Sequence, residues 1–253
     1  MLVDLHTHPV AHGSGSYELE HLIAFLTKAR EKGIGVIGFS DHDRYLERIN
    51  FDIKNQLNSY YPELQVRIGL EVDYFPEKEL KLRQLLGQYQ FDYVIGSVHN
   101  IADWPFDVPD YIHRYQDWDV DELHRVYFET LTKAAQSGLF QIVGHLDLIK
   151  IFNFRPKQDI MGWVEPVLRA IKQSDLTVEI NSAGLHKPVA EVYPEERIIA
   201  RCFELNIPVT ISSDAHEASH VGRYGAEIAS LLKKIGYNQI AVYTAQQRKM
   251  LPL

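Results

Sequence analysis

The segment LVDLHTH at residues 2–8 joins a short apolar strand pattern to two histidines separated by one residue. Side chains alternate between the two faces of a strand, so His6 and His8 lie on the same face. A His-x-His pair alone is weak support for a metal site. It becomes informative in this chain because six further strand-like segments recur along it, most of them ending in residues that can bind a metal.

These six further segments have the length and composition of buried strands, and segments with helical periodicity separate them. Together with the first strand, they make seven predicted strands: Leu2–Leu5, Val36–Ser40, Val66–Val72, Tyr93–Val98, Ile142–His145, Thr177–Ile180 and Pro208–Ser212. Repeated strand–helix units predict parallel strands with crossover helices and hence an α/β fold. Periodicity alone leaves open a barrel or an open doubly wound sheet. Since no linker-like or repetitive stretch interrupts the chain, we expect residues 1–253 to form one domain.

Nine possible metal ligands lie in or directly after the predicted strands. They are His6, His8, His12, His42, Glu71, His99, His145, Asp214 and His216. The carboxyl ends of parallel strands meet on one face of such folds, which is where binding sites form. Each residue has another explanation when taken singly: Glu71 could pair with Arg67, for example, and His145 could be a core histidine. Recurrence at six strand ends favours a site for several metal ions.

The types of ligand narrow the choice of metal. Imidazole and carboxylate groups suit zinc, iron(II) or manganese, and the lack of cysteine among the nine residues excludes a purely thiolate zinc site. Nine ligands exceed what one ion uses, so we expect two or three divalent ions with a carboxylate bridging a pair. Clustered divalent ions lower the pKa of a shared water and stabilise both oxygens of a phosphoryl displacement. This pattern favours phosphoester hydrolysis.

The charge and composition of the chain argue against some classes of binding partner. The chain has 26 Lys and Arg against 34 Asp and Glu, a net charge of −8, and no basic blocks, which argues against nucleic acid or anionic membrane as the main partner. No apolar run approaches the roughly 18–20 residues that span a bilayer, and no secretory signal is evident. The single Cys202 fits a reducing compartment. We therefore expect a cytoplasmic protein with a small-molecule substrate.

As an ordered set, six motifs resemble the PHP (polymerase and histidinol phosphatase) superfamily over nearly the whole chain: DLHTH (4–8), FSDH (39–42), GLE (69–71), GSVH (96–99), GHLD (144–147) and SDAH (213–216). The resemblance implies a distorted (β/α)7 TIM-like barrel with three divalent ions at the C-terminal face of the strands. The implied ligand sets are His6, His8, Glu71 and Asp214; Glu71, His99 and His145; and His12, His42 and His216. The implied nucleophile is a hydroxide that bridges the metal ions.

Within this superfamily, segments such as EINSAGLHKP (179–188) resemble the monofunctional histidinol-phosphate phosphatases. The implied reaction converts L-histidinol phosphate to L-histidinol and phosphate. Relatives often have arginine where His186 stands, which leaves the substrate contact there open. We expect substrate contacts from Arg155, His186, Lys187 and Arg197, although surface charges or ion pairs with nearby glutamates would also explain the cations.

Four other functions stay open at this stage. A PHP-type phosphatase could prefer phosphotyrosine, a nucleotide or a sugar phosphate. An amidohydrolase also has His-x-His after its first strand, but it needs no equivalents of His42, His99 and His216 and often uses a lysine at a strand end, which is not evident in this sequence. A nuclease would show basic stripes. A non-catalytic module would bind metal without turnover. The aromatic segment 100–119 could pack as a satellite cluster or form a wall over the site.

Overall fold

Seven parallel strands form the central sheet of the molecule, which a computed structural model describes over residues 1–253. They are β1 (Leu2–Thr7), β2 (Ile34–Phe39), β3 (Gln65–Asp73), β4 (Tyr93–Ser97), β7 (Ile142–Val143), β8 (Thr177–Asn181) and β9 (Val209–Ser212). Their order in the sheet is their order in the chain. All neighbouring pairs are parallel, as strand–helix repeats require.

Seven α-helices alternate with these strands and pack outside the sheet. They are α1 (Leu19–Glu31), α2 (Ile53–Tyr60), α3 (Glu79–Leu86), α4 (Val120–Gln136), α5 (Met161–Gln173), α6 (Glu196–Glu204) and α7 (Gly225–Ile235). The helix α4 begins where the side chain of Asp119 accepts a hydrogen bond from the Glu122 N–H, an N-cap that satisfies one free donor of the first turn. None of the helices combines the length and apolar character needed to cross a membrane.

The first and last strands of the sheet come together and nearly close it into a barrel. The His8 N–H donates to the Ala215 carbonyl oxygen at 2.7 Å, and Thr7 forms a parallel bridge with Ala215. The carboxylate of Asp4 also accepts hydrogen bonds from the N–H of Ser213 and of Gly222. The predicted (β/α)7 TIM-like barrel is therefore confirmed, and the open doubly wound sheet is wrong.

All seven predicted strands are present, with bounds that differ by two residues or fewer. The strand β7 ends at Val143, two residues before its predicted end at His145. The helices α2 and α3 have only eight residues each, and two turns give little periodic signal in the sequence. Three 3₁₀ turns and a short ribbon, β5 (Asn100–Ile101) with β6 (Trp104–Pro105), complete the barrel rim around residues 100–150 and 183–186.

An antiparallel hairpin, β10 (Gln239–Thr244) with β11 (Gln247–Pro252), follows the last helix and lies at the amino end of the barrel. The backbone carbonyl oxygen of Tyr243 accepts a hydrogen bond from Arg67 Nε at 2.7 Å, and the side-chain hydroxyl of Tyr243 lies 2.7 Å from Thr177 Oγ1. Arg67 and Thr177 lie near the starts of β3 and β8. The hairpin therefore covers the end of the barrel opposite the predicted site.

The aromatic segment 100–119 packs as a satellite cluster. Trp104, Phe106 and Tyr115 are buried, and the Tyr115 ring stacks on Phe154 at 4.2 Å. Only Tyr111 among its large aromatic side chains is exposed, at 43%. The satellite-cluster alternative is therefore correct for most of this segment.

Asp92 connects three parts of the amino end of the barrel. Its buried carboxylate accepts hydrogen bonds from the Ile68 N–H at 2.9 Å and the Ala245 N–H at 3.1 Å, and it pairs with Lys54 Nζ at 2.6 Å. These partners belong to β3, to the hairpin turn and to α2. A buried carboxylate with several donors is costly to remove, because the donors lose their partner.

We expect Asp92→Ala to lower the free energy of unfolding by about 3 kcal/mol, because two backbone N–H groups and one ammonium lose their acceptor. Urea unfolding followed by circular dichroism measures this change. The matched control is Asp103→Ala: Asp103 is 86% exposed and pairs only with Arg114, so its loss leaves the free energy of unfolding within error. Equal stability of the Asp92→Ala variant and the wild type contradicts the prediction.

Candidate metal centre at the carboxyl end of the barrel

The structure brings all nine predicted metal ligands into one continuous cluster. The strand β1 delivers His6 and His8, whose ring centroids are 4.8 Å apart. The rings of His42 and His216 stack against His8 at 4.6 and 4.2 Å. His99 and His145 form a second pair at 4.9 Å. The remaining members are Glu71, Asp214 and His12.

Glu71 lies at the centre of the cluster, on β3, and is 1% exposed. Its Oε2 is 2.9 Å from His42 Nδ1 and 3.3 Å from His6 Nε2. Its Oε1 is 3.0 Å from His145 Nε2 and 3.5 Å from His99 Nε2. The two carboxylate oxygens thus face different histidines, which is the geometry a bridging carboxylate needs. The alternative pairing with Arg67 is wrong, since that guanidinium binds the hairpin.

Asp214 follows β9 with a left-handed backbone, φ 55°. Aspartate tolerates this conformation better than most residues, and here it turns the carboxylate toward β1. Asp214 Oδ1 lies 3.2 Å from His8 Nε2 and 4.0 Å from His6 Nε2. Asp214 therefore completes the side of the cluster that β1 supplies.

His12 lies at the edge of the cluster. It is exposed, has φ 56°, and its ring centroid is 4.4 Å from that of His216. The Arg44 guanidinium donates to His12 Nδ1 at 3.2 Å. Three groups have ligand atoms within 4.8 Å of one another, and His12 belongs to none: His8, His42 and His216; His6, His8 and Glu71; His42, Glu71 and His99. His42 therefore belongs to two of these groups, one with His216 and one with Glu71 and His99.

The donor atoms of the cluster fit a divalent metal. Ring nitrogens of five of these histidines are buried without a hydrogen-bond partner: His6, His8, His42, His145 and His216. Buried polar atoms are otherwise nearly always paired, and unprotonated imidazole nitrogens beside carboxylate oxygens are the ligands zinc prefers. Burial raises the pKa of Glu71, but the charges of His6, His42 and His99 hold it well below its usual range. The carboxylate is therefore ionised and available as a ligand.

A surrounding layer of carboxylates orients the histidines, and sequence reasoning missed it. Buried Glu179 on β8 accepts a hydrogen bond from the ring Nδ1–H of His6 at 2.5 Å and another from the backbone N–H of His145 at 2.7 Å. Asp73 accepts from His99 Nδ1–H. Such bonds fix the ring tautomer and leave Nε2 free to bind a metal. The signal for Glu179 was its position two residues before Asn181, on the same face of the strand.

The predicted substrate residues divide into two pairs. Arg155 pairs with Glu191 at 2.6 Å, and Arg197, 60% exposed, pairs with Asp159 at 2.8 Å. Both line a separate cavity of about 180 Å³ beside His124, and neither forms an ion pair or hydrogen bond with the cluster. The ion-pair explanation therefore describes the contacts of these two arginines.

The other pair, His186 and Lys187, lies in the loop after β8. Partial desolvation, with the charges of Arg223, Lys187 and His220, lowers the pKa of His186 to about 4, while Asp214 opposes the shift. The His186 ring is 6.1 Å from that of His220. We call His186, Lys187, His220 and Arg223 the basic rim; sequence reasoning missed Arg223, and Asp214 of the cluster acts on the same imidazole as these cations.

Lys150 is buried near the end of β7, and sequence reasoning missed it as well. Its Nζ donates to Glu191 at 3.0 Å and to the Val192 carbonyl oxygen at 3.0 Å, and it pairs with Asp147 at 2.8 Å. These three partners use all the donors of an ammonium group. Lys150 is therefore held away from the cluster, which removes the lysine that an amidohydrolase site would use.

Comparison with known proteins agrees with this geometry. A model of the PHP domain family matches residues 4–183. The chain belongs to the PHP domain family. A Deinococcus radiodurans protein named probable histidinol-phosphatase is 32% identical over 98% of this chain and 97% of its own length. A Bacillus subtilis protein named histidinol-phosphatase is 28% identical over 86% of this chain and 94% of its own length.

The fold of this PHP chain is similar to a solved structure of histidinol phosphate phosphatase from Lactococcus lactis, which is complexed with zinc, L-histidinol and phosphate. The TM-score is 0.80, the sequence identity is 22%, and 98% of each chain is covered. At this identity the similarity shows the fold. It supports the barrel architecture that the strand order and closure already indicate.

We expect Glu179→Gln to weaken zinc binding by about 10- to 100-fold, because a neutral amide holds the His6 and His145 groups less firmly than a carboxylate does. Competition with a chromophoric chelator measures the affinity. Glu196→Gln, at an exposed position at the start of α6, is the matched control. Unchanged zinc affinity in the Glu179→Gln protein would show that this carboxylate does not orient the ligands.

Proposed function

We propose that this PHP-family chain is a metal-dependent phosphomonoesterase that hydrolyses L-histidinol phosphate to L-histidinol and phosphate. The observation that carries the proposal is Glu71, whose two oxygens face separate groups of histidines at 2.9–3.5 Å. A buried carboxylate in this position suits a multinuclear hydrolytic centre. Similarity to named histidinol-phosphatases over nearly the full chain supports the substrate.

The proposed site holds three divalent ions: zinc, iron or manganese. The proposed ligands are His6, His8, Glu71 and Asp214 for one ion; Glu71, His99 and His145 for a second; and His12, His42 and His216 for a third. When bound, such ions lower the pKa of water and neutralise charge on phosphoryl oxygens. The unpartnered ring nitrogens support this assignment, and the peripheral place of His12 makes its set the most open to the solvent.

The chain itself prepares the ligands for this chemistry. Glu179 accepts a hydrogen bond from His6 Nδ1–H, and Asp73 accepts one from His99 Nδ1–H, so the Nε2 atoms of both rings face Glu71, where a bound cation would replace their protons. Burial lowers the pKa of His8, as do the nearby His216 and His42. Its ring is therefore neutral and can bind a metal at physiological pH.

The basic rim is proposed to attract the phosphate group. Lys187 and Arg223 have no carboxylate within 4 Å, so their charges are not neutralised by an ion pair as those of Arg155 and Arg197 are. We propose His186 and Lys187 as substrate contacts, with the phosphate between this rim and the cluster. A neutral His186 can donate one hydrogen bond, a weaker contact than the bidentate one an arginine makes.

We propose that residues 1–253 form one cytoplasmic domain. One core cluster contains residues from Val3 in β1 to Tyr243 in the terminal hairpin, so the hairpin packs on the same core as the first strand. The lone cysteine, Cys202, is buried, which suits a reducing compartment.

The substrate assignment predicts a clear preference in a phosphate-release panel. With zinc or manganese present, kcat/KM for L-histidinol phosphate exceeds that for phosphotyrosine, nucleotides and sugar phosphates by about tenfold or more, the size that one net hydrogen bond contributes. Equal rates on all substrates discard the histidinol assignment but keep the phosphatase. Release of phosphate from none of them discards both.

Glu71→Gln is expected to lower turnover by about two orders of magnitude or more, since a neutral amide cannot bridge two cations. Steady-state phosphate release measures this loss, and metal analysis of the purified variant shows whether ions are lost with it. Glu77→Gln, six residues on and exposed, is the control. Full phosphatase activity of the Glu71→Gln variant would falsify the bridging role.

A further inference from the structure

Arg44 is a cation in direct contact with the metal-ligand cluster, and the proposed ligand sets do not use it. Its guanidinium donates a hydrogen bond to His12 Nδ1 at 3.2 Å, and its Nη1 lies 3.6 Å from Asp73 Oδ2. The other oxygen of Asp73 accepts a hydrogen bond from His99 Nδ1–H. Arg44 therefore contacts one proposed ligand and the carboxylate that orients another.

Most donors of the Arg44 guanidinium have no acceptor. The group carries five N–H bonds, and its one hydrogen bond goes to His12. The Asp73 oxygen at 3.6 Å lies beyond hydrogen-bond distance. Arg155 and Arg197, by contrast, each donate to a carboxylate, at 2.6 and 2.8 Å. Arg44 therefore keeps free donors for an anion that reaches the cluster.

The Arg44 guanidinium lies on the side of the cluster that solvent reaches. The Arg44 side chain is 44% exposed, and His12 beside it is also exposed. The His12 ring packs at 4.4 Å against that of His216, whose side chain is 28% exposed. His6 and His8, in contrast, are fully buried. A phosphomonoester that arrives from solvent therefore meets the cluster on the side where Arg44 lies.

The segment that carries Arg44 is fixed to the loop that carries His12. It is a 3₁₀ turn, Asp43–Arg48, which begins directly after His42. At its end, the Arg48 guanidinium donates to the Gly13 and Gly15 carbonyl oxygens at 2.9 and 2.8 Å. The Arg44 guanidinium itself packs over the Tyr45 ring, 5.2 Å from its centroid. A cation held in this way binds an anion with a reduced ordering cost.

The basic rim has no comparable contact with the cluster. His186 packs near His220, His220 pairs with Glu217 at 4.0 Å, and neither Lys187 nor Arg223 forms a side-chain ion pair. Among the lysines and arginines of the chain, Arg44 is the one whose side chain donates a hydrogen bond to a proposed metal ligand. Contact with the phosphate at the ions is therefore best assigned to Arg44, and longer-range attraction to the rim.

We propose that Arg44 binds the phosphate group of the substrate at the metal cluster, with two of its N–H groups donating to two phosphoryl oxygens. The inference rests on the proposed phosphatase function. The planar fork of a guanidinium matches a phosphate group in this way. His12 Nδ1 can serve only one partner at a time, so its use as a ligand would release a further donor of Arg44. The positive charge also neutralises charge on the phosphoryl oxygens.

Arg44→Gln in the zinc-loaded protein is expected to lower kcat/KM for L-histidinol phosphate by about 10- to 100-fold, the effect of losing charge-assisted hydrogen bonds. Arg44→Lys keeps the charge without the fork, so we expect a smaller loss, about fivefold. Phosphate release measures both. Arg30→Gln is the matched control and keeps the wild-type value, because Arg30 is 62% exposed on α1 and pairs with Glu63.

Calorimetric titration of the zinc-loaded proteins gives a readout that does not depend on turnover. In Arg44→Gln the Kd of inorganic phosphate rises by about 10- to 100-fold, whereas the Kd of L-histidinol, which carries no phosphate, stays at the wild-type value. Elemental analysis shows that the zinc content of the variant is unchanged.

A folded, zinc-loaded Arg44→Gln protein with the wild-type Kd for phosphate overturns the inference while leaving the phosphatase in place. Loss of zinc from this variant, with equal weakening of phosphate and L-histidinol binding, also overturns it, because Arg44 would then only position His12. A wild-type protein that releases phosphate from no phosphomonoester instead shows that the proposed function has failed.

Discussion

The burial of one carboxylate, Glu71, is the constraint on which the carboxyl end of this barrel depends. An ionised carboxylate in the interior is unstable unless groups of opposite charge or strong donors surround it. Four histidines from four strand ends lie within 3.5 Å of its two oxygens. These histidines are in turn crowded, and they are stable together only if cations or protons are shared among them. The cluster and its carboxylate therefore require each other, and a set of divalent ions satisfies both.

The two ends of the barrel serve different purposes. At the amino end, Arg67, Asp92 and Thr177 hold the terminal hairpin, so polar groups there are paired and closed off from solvent. At the carboxyl end, buried ring nitrogens are left without partners. This division is common in (β/α) barrels, where one end contributes stability and the other binds ligands. It also explains how a strained residue such as Asp214 is tolerated, because the rest of the fold fixes its position.

Much of this arrangement could be predicted from the sequence because strand ends converge by simple geometry. A histidine or carboxylate at the end of a parallel strand must lie on the same face as its counterparts, and this places His6, Glu71 and His145 together without any knowledge of packing. Arg155 and Arg197 could not be placed in this way. They lie in loops and at helix ends, where the partner of a long cation depends on contacts between segments far apart in the chain, such as Arg155 with Glu191. The hairpin at the amino end, in which β10 pairs with β11, was also missed.

The most direct test of the central claim is a crystal structure of the protein purified with its metals, with anomalous scattering collected at the zinc, iron and manganese edges. We predict anomalous peaks on both sides of Glu71, with histidine nitrogens of the cluster at about 2.0–2.1 Å from the ions. A fully active phosphatase whose crystals show no anomalous peak within reach of Glu71 would contradict the account.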